Sequence, residues 1–178
     1  MTTAFFDIDT QLDFVAPAGA LYVPGAERII PAVARLNQFA VARGLPLIST
    51  MDAHAENDPE FRVWPPHCVR GTLGQRKPEA TRMAAGGQIL FEKTTTDVFA
   101  EPGIQGLLQG LQADRFVVYG VVTEICVRFA ALGLLRTGKP VAVVRDAVQA
   151  LDEARSEAFF EELRAAGGAM TTLVEIGV

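Results

Sequence analysis

A three-layer α/β/α fold on a mostly parallel six-stranded sheet of Rossmann-like topology is the class the sequence predicts, on three observations. Short apolar, β-branched runs alternate with segments whose apolar residues recur at helical spacing. The lengths between those runs suit right-handed crossovers, and therefore parallel strands covered on both faces. With 178 residues, 49% of them hydrophobic and 21% charged, the chain is long enough for one such domain, 1–178, and short for two.

Thr3 to Ile8 is the first strand, and it runs into Asp9-Thr-Gln-Leu-Asp-Phe14. Carboxylates at the end of an apolar strand are costly unless paired or set in a cleft; the blander alternative is a solvated loop with Asp as turn former. Ile29, Ile30, Val33, Leu36 and Val41 then fall near a 3.6 period, which predicts a helix over Glu27 to Arg43, stopped by Gly44. Pro46 to Met51 is the second strand and ends in Asp52-Ala-His54. A long excursion rich in Pro and Gly follows, through Trp64-Pro-Pro-His67-Cys68 to Pro78. Loops of that length inside compact domains tend to be functional. A short helix is predicted near Glu79 to Ala85, then a third strand, Gln88 to Phe91, ending at Glu92 and Lys93. Ile104 to Leu111 has helical spacing, although its glycines lower the propensity. Phe116 to Val122, the fourth strand, passes without a polar linker into a helix over Glu124 to Thr137, with Thr123 in the N-cap position and Gly138 past the far end. A strand over Val141 to Val144, a helix over Glu153 to Ala166 and a strand over Met170 to Val174 complete the order.

Composition excludes several function classes. The net charge of -5 comes without a clustered basic stripe, which argues against nucleic acid and anionic membranes as partners. No apolar run reaches spanning length, and Met1 leads straight into a strand, so a cytoplasmic protein is expected. Two cysteines make no disulfide framework, so each is either core or chemistry. Positive mean hydropathy predicts a homo-oligomer that covers some apolar surface.

Asp9, Asp52, Lys93 and Cys126 each fall at or just beyond the C-terminal end of a different predicted strand, the edge of an open α/β sheet where ligands bind. Cys126 in the first turn of a helix is placed for a lowered thiol pKa, although a lone cysteine is as readily a small buried core residue. With Asp9 as base and Lys93 as fixed positive charge, it forms a set suited to attack on an amide carbonyl, through a thioester that water resolves. Amides of the turn before the helix would hold the oxyanion. Asp52, His54 and His67 form a ligand set familiar for zinc or redox-capable first-row metals, while as loop histidines with ordinary hydrogen bonds they would need no ion. Cys68, among prolines and without a helix N-terminus, suits packing. Asp13 is placed to brace the loop after the first strand, and Asp146 to cap a turn.

Taken together, Asp9 to Phe14, Asp52-Ala-His54, Trp64-Pro-Pro-His-Cys-Val-Arg-Gly-Thr72, Lys93 and Gly120-Val-Val-Thr-Glu-Ile-Cys126 resemble the isochorismatase-like cysteine hydrolases, and within them the nicotinamidases, over nearly the whole chain. The resemblance implies a metal-binding cysteine amidohydrolase that converts nicotinamide and water to nicotinate and ammonia. It implies Asp9, Lys93 and Cys126 as catalytic residues and Asp52, His54 and His67 as ligands of one divalent ion, zinc or else iron or manganese. It also implies Phe14, Trp64 and Val122 as substrate contacts for a small-molecule amide, and a cis peptide between Val121 and Val122. Ala53 and Ala55 stand where nicotinamidases often carry tryptophan and proline, and the Lys93 to Phe99 segment is shorter than in many of them. The rivals are another amide or carbamoyl hydrolase of the same fold and, from a different class, a catalytically silent binding module.

Overall fold

The computed structural model describes every residue of the chain except Ala85. Its sheet has six strands in the order β3-β2-β1-β4-β5-β6, and every pairing is parallel. The strands are β1 Thr3–Ile8, β2 Leu47–Asp52, β3 Ile89–Lys93, β4 Arg115–Val121, β5 Val141–Gln149 and β6 Ala169–Thr171. Around them lie α1 Leu12–Val15, α2 Ile30–Ala42, α3 Ile104–Leu111, α4 Arg128–Leu135, α5 Glu153–Ala165 and α6 Leu173–Ile176. None of these helices is long and apolar enough to cross a membrane.

The period-2 alternation of a strand explains the three layers. On β1, Ala4, Phe6 and Ile8 pack with Ile104 and Leu108 of α3, Ala130, Ala131 and Leu134 of α4, and Phe159, Phe160 and Leu163 of α5. Phe5 points the other way, into Val33, Leu36 and Ala40 of α2 and Leu173 of α6. All six residues of β1 are buried, as a strand covered on both faces requires. Each large apolar side chain so buried stabilises the fold by about 1.5–3 kcal/mol. The chain builds outward from β1 to β2 and β3, then returns to place β4 on the other side of β1. The crevice between the C-terminal ends of β1 and β4 is therefore the switch point of the sheet. Gly120 makes the close approach there possible. Its φ is 118°, and a Cβ at this position would lie 2.1 Å from the Ile8 carbonyl oxygen.

Several boundaries differ from expectation, for identifiable reasons. Among the described residues no α-helix bridges β2 and β3: Glu79–Thr81 is a single 3-10 turn entered from Pro78, and the end of the helix predicted there, Ala85, lies outside the described residues. Edge strand β3 consequently exposes Ile89 and Leu90. Thr123 is not a cap, because its side chain makes no capping bond and the chain leaves β4 through a π turn, Thr123–Val127, before α4 begins. β5 runs on past Val144 after a register shift opposite Val118 and Gly120. Asp146 therefore lies within the strand, where its carboxylate accepts from the Leu173 amide at the start of α6 at 3.1 Å.

Candidate active site

Four adjacent strands, β3, β2, β1 and β4, each deliver one polar side chain to the same edge. Lys93 and Asp52 are the last residues of β3 and β2 and are register partners. Asp9 follows β1 directly and Cys126 lies in the π turn after β4. Asp9 has φ 48°, the left-handed region that is uncommon for a residue with a side chain. It is held there by its backbone N–H, which donates to the Thr50 carbonyl at 3.2 Å, and its carboxylate Oδ1 accepts from Thr50 Oγ1 at 2.7 Å.

Lys93 sits at the centre of this set and is 1% exposed. Its ammonium lies 2.9 Å from Asp9 Oδ2, donates to Asp52 Oδ1 and to the Thr95 carbonyl at 3.0 Å, and lies 3.9 Å from Cys126 Sγ. Beyond this ion-pair distance, which is out of hydrogen-bond alignment, Asp9 Oδ2 is buried with no hydrogen-bond partner. One carboxylate oxygen is thus free to take a proton. Burial pushes the Asp9 pKa up, against the opposing pull of Lys93. Burial acts on Asp52 in the same direction, but Lys93 and the two histidines override it and hold that carboxyl well below its usual range. Lys93 is the converse: burial would lower it, yet Asp52 and Asp9 raise it well above the ordinary lysine value. The lowered thiol pKa expected for Cys126 is reversed, because burial of the side chain outweighs Lys93 and pushes the thiol well up. Cys126 rests as a neutral thiol beside a base.

His54 and His67 stand on the other side of Asp52. Their Nε2 atoms lie 3.9 and 3.8 Å from Asp52 Oδ2, and one ligand atom from each of the three residues falls within 4.8 Å of the others. His67 Nδ1 is 2.7 Å from the Pro65 carbonyl, and His54 Nδ1 is 3.1 Å from Asp58 Oδ2, out of hydrogen-bond alignment. The Pro65 carbonyl, which can only accept, places the His67 proton on Nδ1 and leaves its Nε2 lone pair facing Asp52, whereas neither ring nitrogen of His54 has a hydrogen-bond partner. His54 Nε2 is fully buried without a hydrogen-bond partner. A buried lone pair of this kind is costly unless a ligand meets it, so these residues fit a divalent cation.

The pocket above the set has apolar walls: Phe14, Leu21 and Val23 from the segment after β1, Trp64 from the long excursion, Val121 and Val122 where β4 ends, Ile125 from the π turn and Leu151 from the turn after β5. Asp9, Asp52, His67 and Cys126 also line it, and no Lys or Arg does. Phe14 stacks at 5.4 Å on His67, so it touches the metal-ligand candidates as well as the pocket. The Val121–Val122 peptide bond is cis. All nine residues singled out for catalysis, substrate contact and metal ligation therefore meet at one place. Cys68 does not: it is fully buried in the core cluster on the α2 face, its thiol is pushed up by burial, and its amide donates to Asp13 Oδ2 at 2.7 Å. Asp13 braces the loop in this way and through the Ala20 amide, 3.0 Å.

Sequence reasoning missed five contributors. Thr50 holds Asp9, and Asp58 faces His54. Phe61 packs on both histidines, at 5.4 and 5.7 Å, and Glu60 lines the pocket. Gln11 clamps the end of β2 by exchanging hydrogen bonds with the Asp52 backbone, 2.7 and 2.8 Å. Only Asp58, four residues after His54, and Gln11, inside the Asp9 to Phe14 motif, left a positional signal.

Residues 3–175 match the model of the isochorismatase domain. The nicotinamidase of Escherichia coli is 26% identical over 94% of this chain and 93% of its own. Among solved structures, the pyrazinamidase of Pyrococcus horikoshii in complex with zinc superposes with a TM-score of 0.85 at 30% identity, covering 97% of this chain and 99% of its own. The nicotinamidase of Bacillus subtilis superposes with a TM-score of 0.88 at 25% identity, covering 96% and 99%. With residues 3–175 matching that model and the nicotinamidase and pyrazinamidase relatives aligning over almost the whole chain, the chain belongs to the isochorismatase family as a nicotinamidase-like member.

Proposed function

We propose that residues 1–178 act as one amidohydrolase domain that hydrolyses nicotinamide to nicotinate and ammonia, with Asp9, Lys93 and Cys126 as catalytic residues. The observation that carries the reading is Asp9 Oδ2, a buried carboxylate oxygen that faces the Lys93 ammonium at 2.9 Å without hydrogen-bond alignment and sits at the floor of an apolar pocket that Cys126 also lines.

Asp9 Oδ2 takes the Cys126 proton as Sγ attacks the amide carbon, so a C–S bond forms and the carbonyl oxygen becomes anionic. Lys93 keeps Asp9 ionised until then and offsets the charge that the thiolate and oxyanion develop. Ile125 and Val127 both donate their amides to the Val122 carbonyl, at 3.0 and 3.1 Å, and the oxyanion is assigned to the other backbone amides of this turn. Protonated Asp9 then gives its proton to the leaving nitrogen, the C–N bond breaks and ammonia departs, leaving a thioester on Cys126. Asp9 next accepts a proton from water as that water attacks the thioester carbon. The adduct then collapses with cleavage of the C–S bond, Asp9 returns its proton to Sγ, and the carboxylic acid product leaves and gives up its own proton to solvent.

Phe14, Trp64 and Val122 hold the ring in this reading. Asp52, His54 and His67 hold one divalent ion, assigned as zinc, as in the Pyrococcus horikoshii pyrazinamidase. When bound, such an ion supplies a Lewis-acid contact for a pyridine nitrogen beside the thiol. Ammonia release across nicotinamide, benzamide and a carbamoyl amino acid tests the reading. Nicotinamide is expected to exceed benzamide in kcat/KM by about a hundredfold, the scale on which a site built for a polar contact rejects an analogue lacking it. Equal rates would sink the ring-orienting role of the metal set, and activity on the carbamoyl compound alone would move the protein to a different substrate class.

A further inference from the structure

Glu124 lies two residues before Cys126, in the π turn, and has no part in the chemistry above. Its side chain is buried, 5% exposed. Oε1 accepts from the Leu151 amide at 3.0 Å and the Asp152 amide at 2.8 Å. Oε2 is buried without a hydrogen-bond partner. The two amides belong to the turn between β5 and α5, and Asp152 is the N-cap of that 13-residue helix, its own carboxylate accepting from the Arg155 amide. A carboxylate here faces the positive end of α5 and makes two charge-assisted bonds, which offsets burial of the unpartnered oxygen. Leu151, held between these contacts, is 46% exposed and forms part of the pocket wall beside Ile125 and Cys126.

We propose that Glu124 is a positioning residue that clamps the β5–α5 turn to the nucleophile turn and so fixes Leu151 as a wall against the substrate ring. The inference rests on the amidohydrolase reading of the site. The contact between Leu151 and the ring is the same in ground and transition states, so losing it weakens binding without slowing bond making. Glu124 therefore governs affinity for ring-bearing amides, and the rate of thiol chemistry is set elsewhere.

The test compares wild type, Glu124→Ala, Glu124→Gln, Leu151→Ala and the double variant Glu124→Ala/Leu151→Ala in nicotinamide kinetics, with hydrogen exchange of the Leu151 and Asp152 amides as a second readout. Glu124→Ala is expected to raise KM about tenfold, with kcat changed less than about threefold. Leu151→Ala should do the same, and the double variant should be no worse than either single one, because both act on one contact. Glu124→Gln, whose amide oxygen can accept both N–H groups, should restore KM and amide protection, whereas Glu124→Ala should lose protection at both. Loss of kcat at unchanged KM, additive KM effects, or wild-type exchange in Glu124→Ala would overturn the proposal. If Glu124→Ala fails to fold, the KM of Leu151→Ala at its half-exposed site decides, an unchanged value refuting the wall. Absence of ammonia release by the wild-type protein would defeat the functional reading alone, and the exchange rates would still decide the clamp.

Discussion

Lys93→Met removes the charge on which the site is balanced while keeping the length of the apolar stem. In the wild-type protein the ammonium faces Asp9 Oδ2 at 2.9 Å and Asp52 Oδ1, with about 1% of the side chain exposed. At an effective dielectric near 20, one such contact is worth about 6 kcal/mol of attraction, and most of that is offset by the cost of burying the ammonium. What the variant retains is two buried carboxylates without their cation, and breaking a buried pair in this way costs about 3–5 kcal/mol. In a chain of this length that corresponds to a fall in Tm of roughly 6–20 °C. The loss should also depend on pH. Lys93 is raised in the folded state, so its stabilisation is present throughout the acid and neutral range and fades only above the ordinary lysine value. Asp52 is depressed, so its contribution is present above the unfolded aspartate pKa and is lost as pH falls through the folded one. Asp9 is raised already, and without Lys93 it rises further, so stability of the variant declines as pH climbs through that folded pKa. Chemical denaturation of both proteins after dialysis against chelator, at about pH 5 and about pH 8, should therefore show the larger deficit at the higher pH. A deficit below about 1 kcal/mol, or one equal at both pH values, would refute the electrostatic reasoning.

Three further outcomes follow from the same geometry. Turnover requires ionised Asp9, whose pKa is raised by burial, so kcat/KM should fall on acidification above the ordinary aspartate value of about 3.9. Thr50→Val removes a hydrogen bond that favours the ionised form, so the acid limb of that pH profile should move to higher pH; a limb that stays put would count against Asp9 as the base. His54→Ala should abolish the bound divalent ion, and Asp58→Ala, which removes the carboxylate 3.1 Å from His54 Nδ1, should weaken it by about 10–100-fold in a competition titration. An unchanged ion content in His54→Ala would remove that histidine from the ligand set.

The path from sequence to site ran through strand ends. Thr3 to Ile8 is apolar at Ala4, Phe5, Phe6 and Ile8 because β1 is covered on both faces, and its boundary is legible to the residue. The ends of β2, β3 and β4 are nearly as legible, and the sequence alone therefore places Asp9, Asp52, Lys93 and Cys126 on one edge. What escaped was set by tertiary context. The Glu79 to Ala85 stretch has helical composition, yet it lies after Pro78 and is tied down by side chains of the core: Asn37 Nδ2 donates to the Thr81 carbonyl at 2.8 Å. Thr123 looks like a cap in isolation, but the Val122 carbonyl takes two amides and winds the chain into a π turn. A helix start by itself predicts a lowered Cys126 pKa; the degree of burial, which reverses the sign, is a property of the packed molecule. Phe61 and Thr50 carried no signal, because one is an ordinary aromatic in a loop and the other an ordinary strand residue until β1 and β2 pair.

The central claim is that Cys126 attacks the amide and Cys68 does not. Rapid quench in acid during nicotinamide turnover, followed by mass analysis of the digested protein, tests it most directly. A nicotinoyl thioester should appear on the peptide carrying Cys126 and on no other, and both adduct and ammonia release should vanish in Cys126→Ala while the fold persists. An adduct on Cys68, or ammonia release from Cys126→Ala at the wild-type rate, would contradict the account.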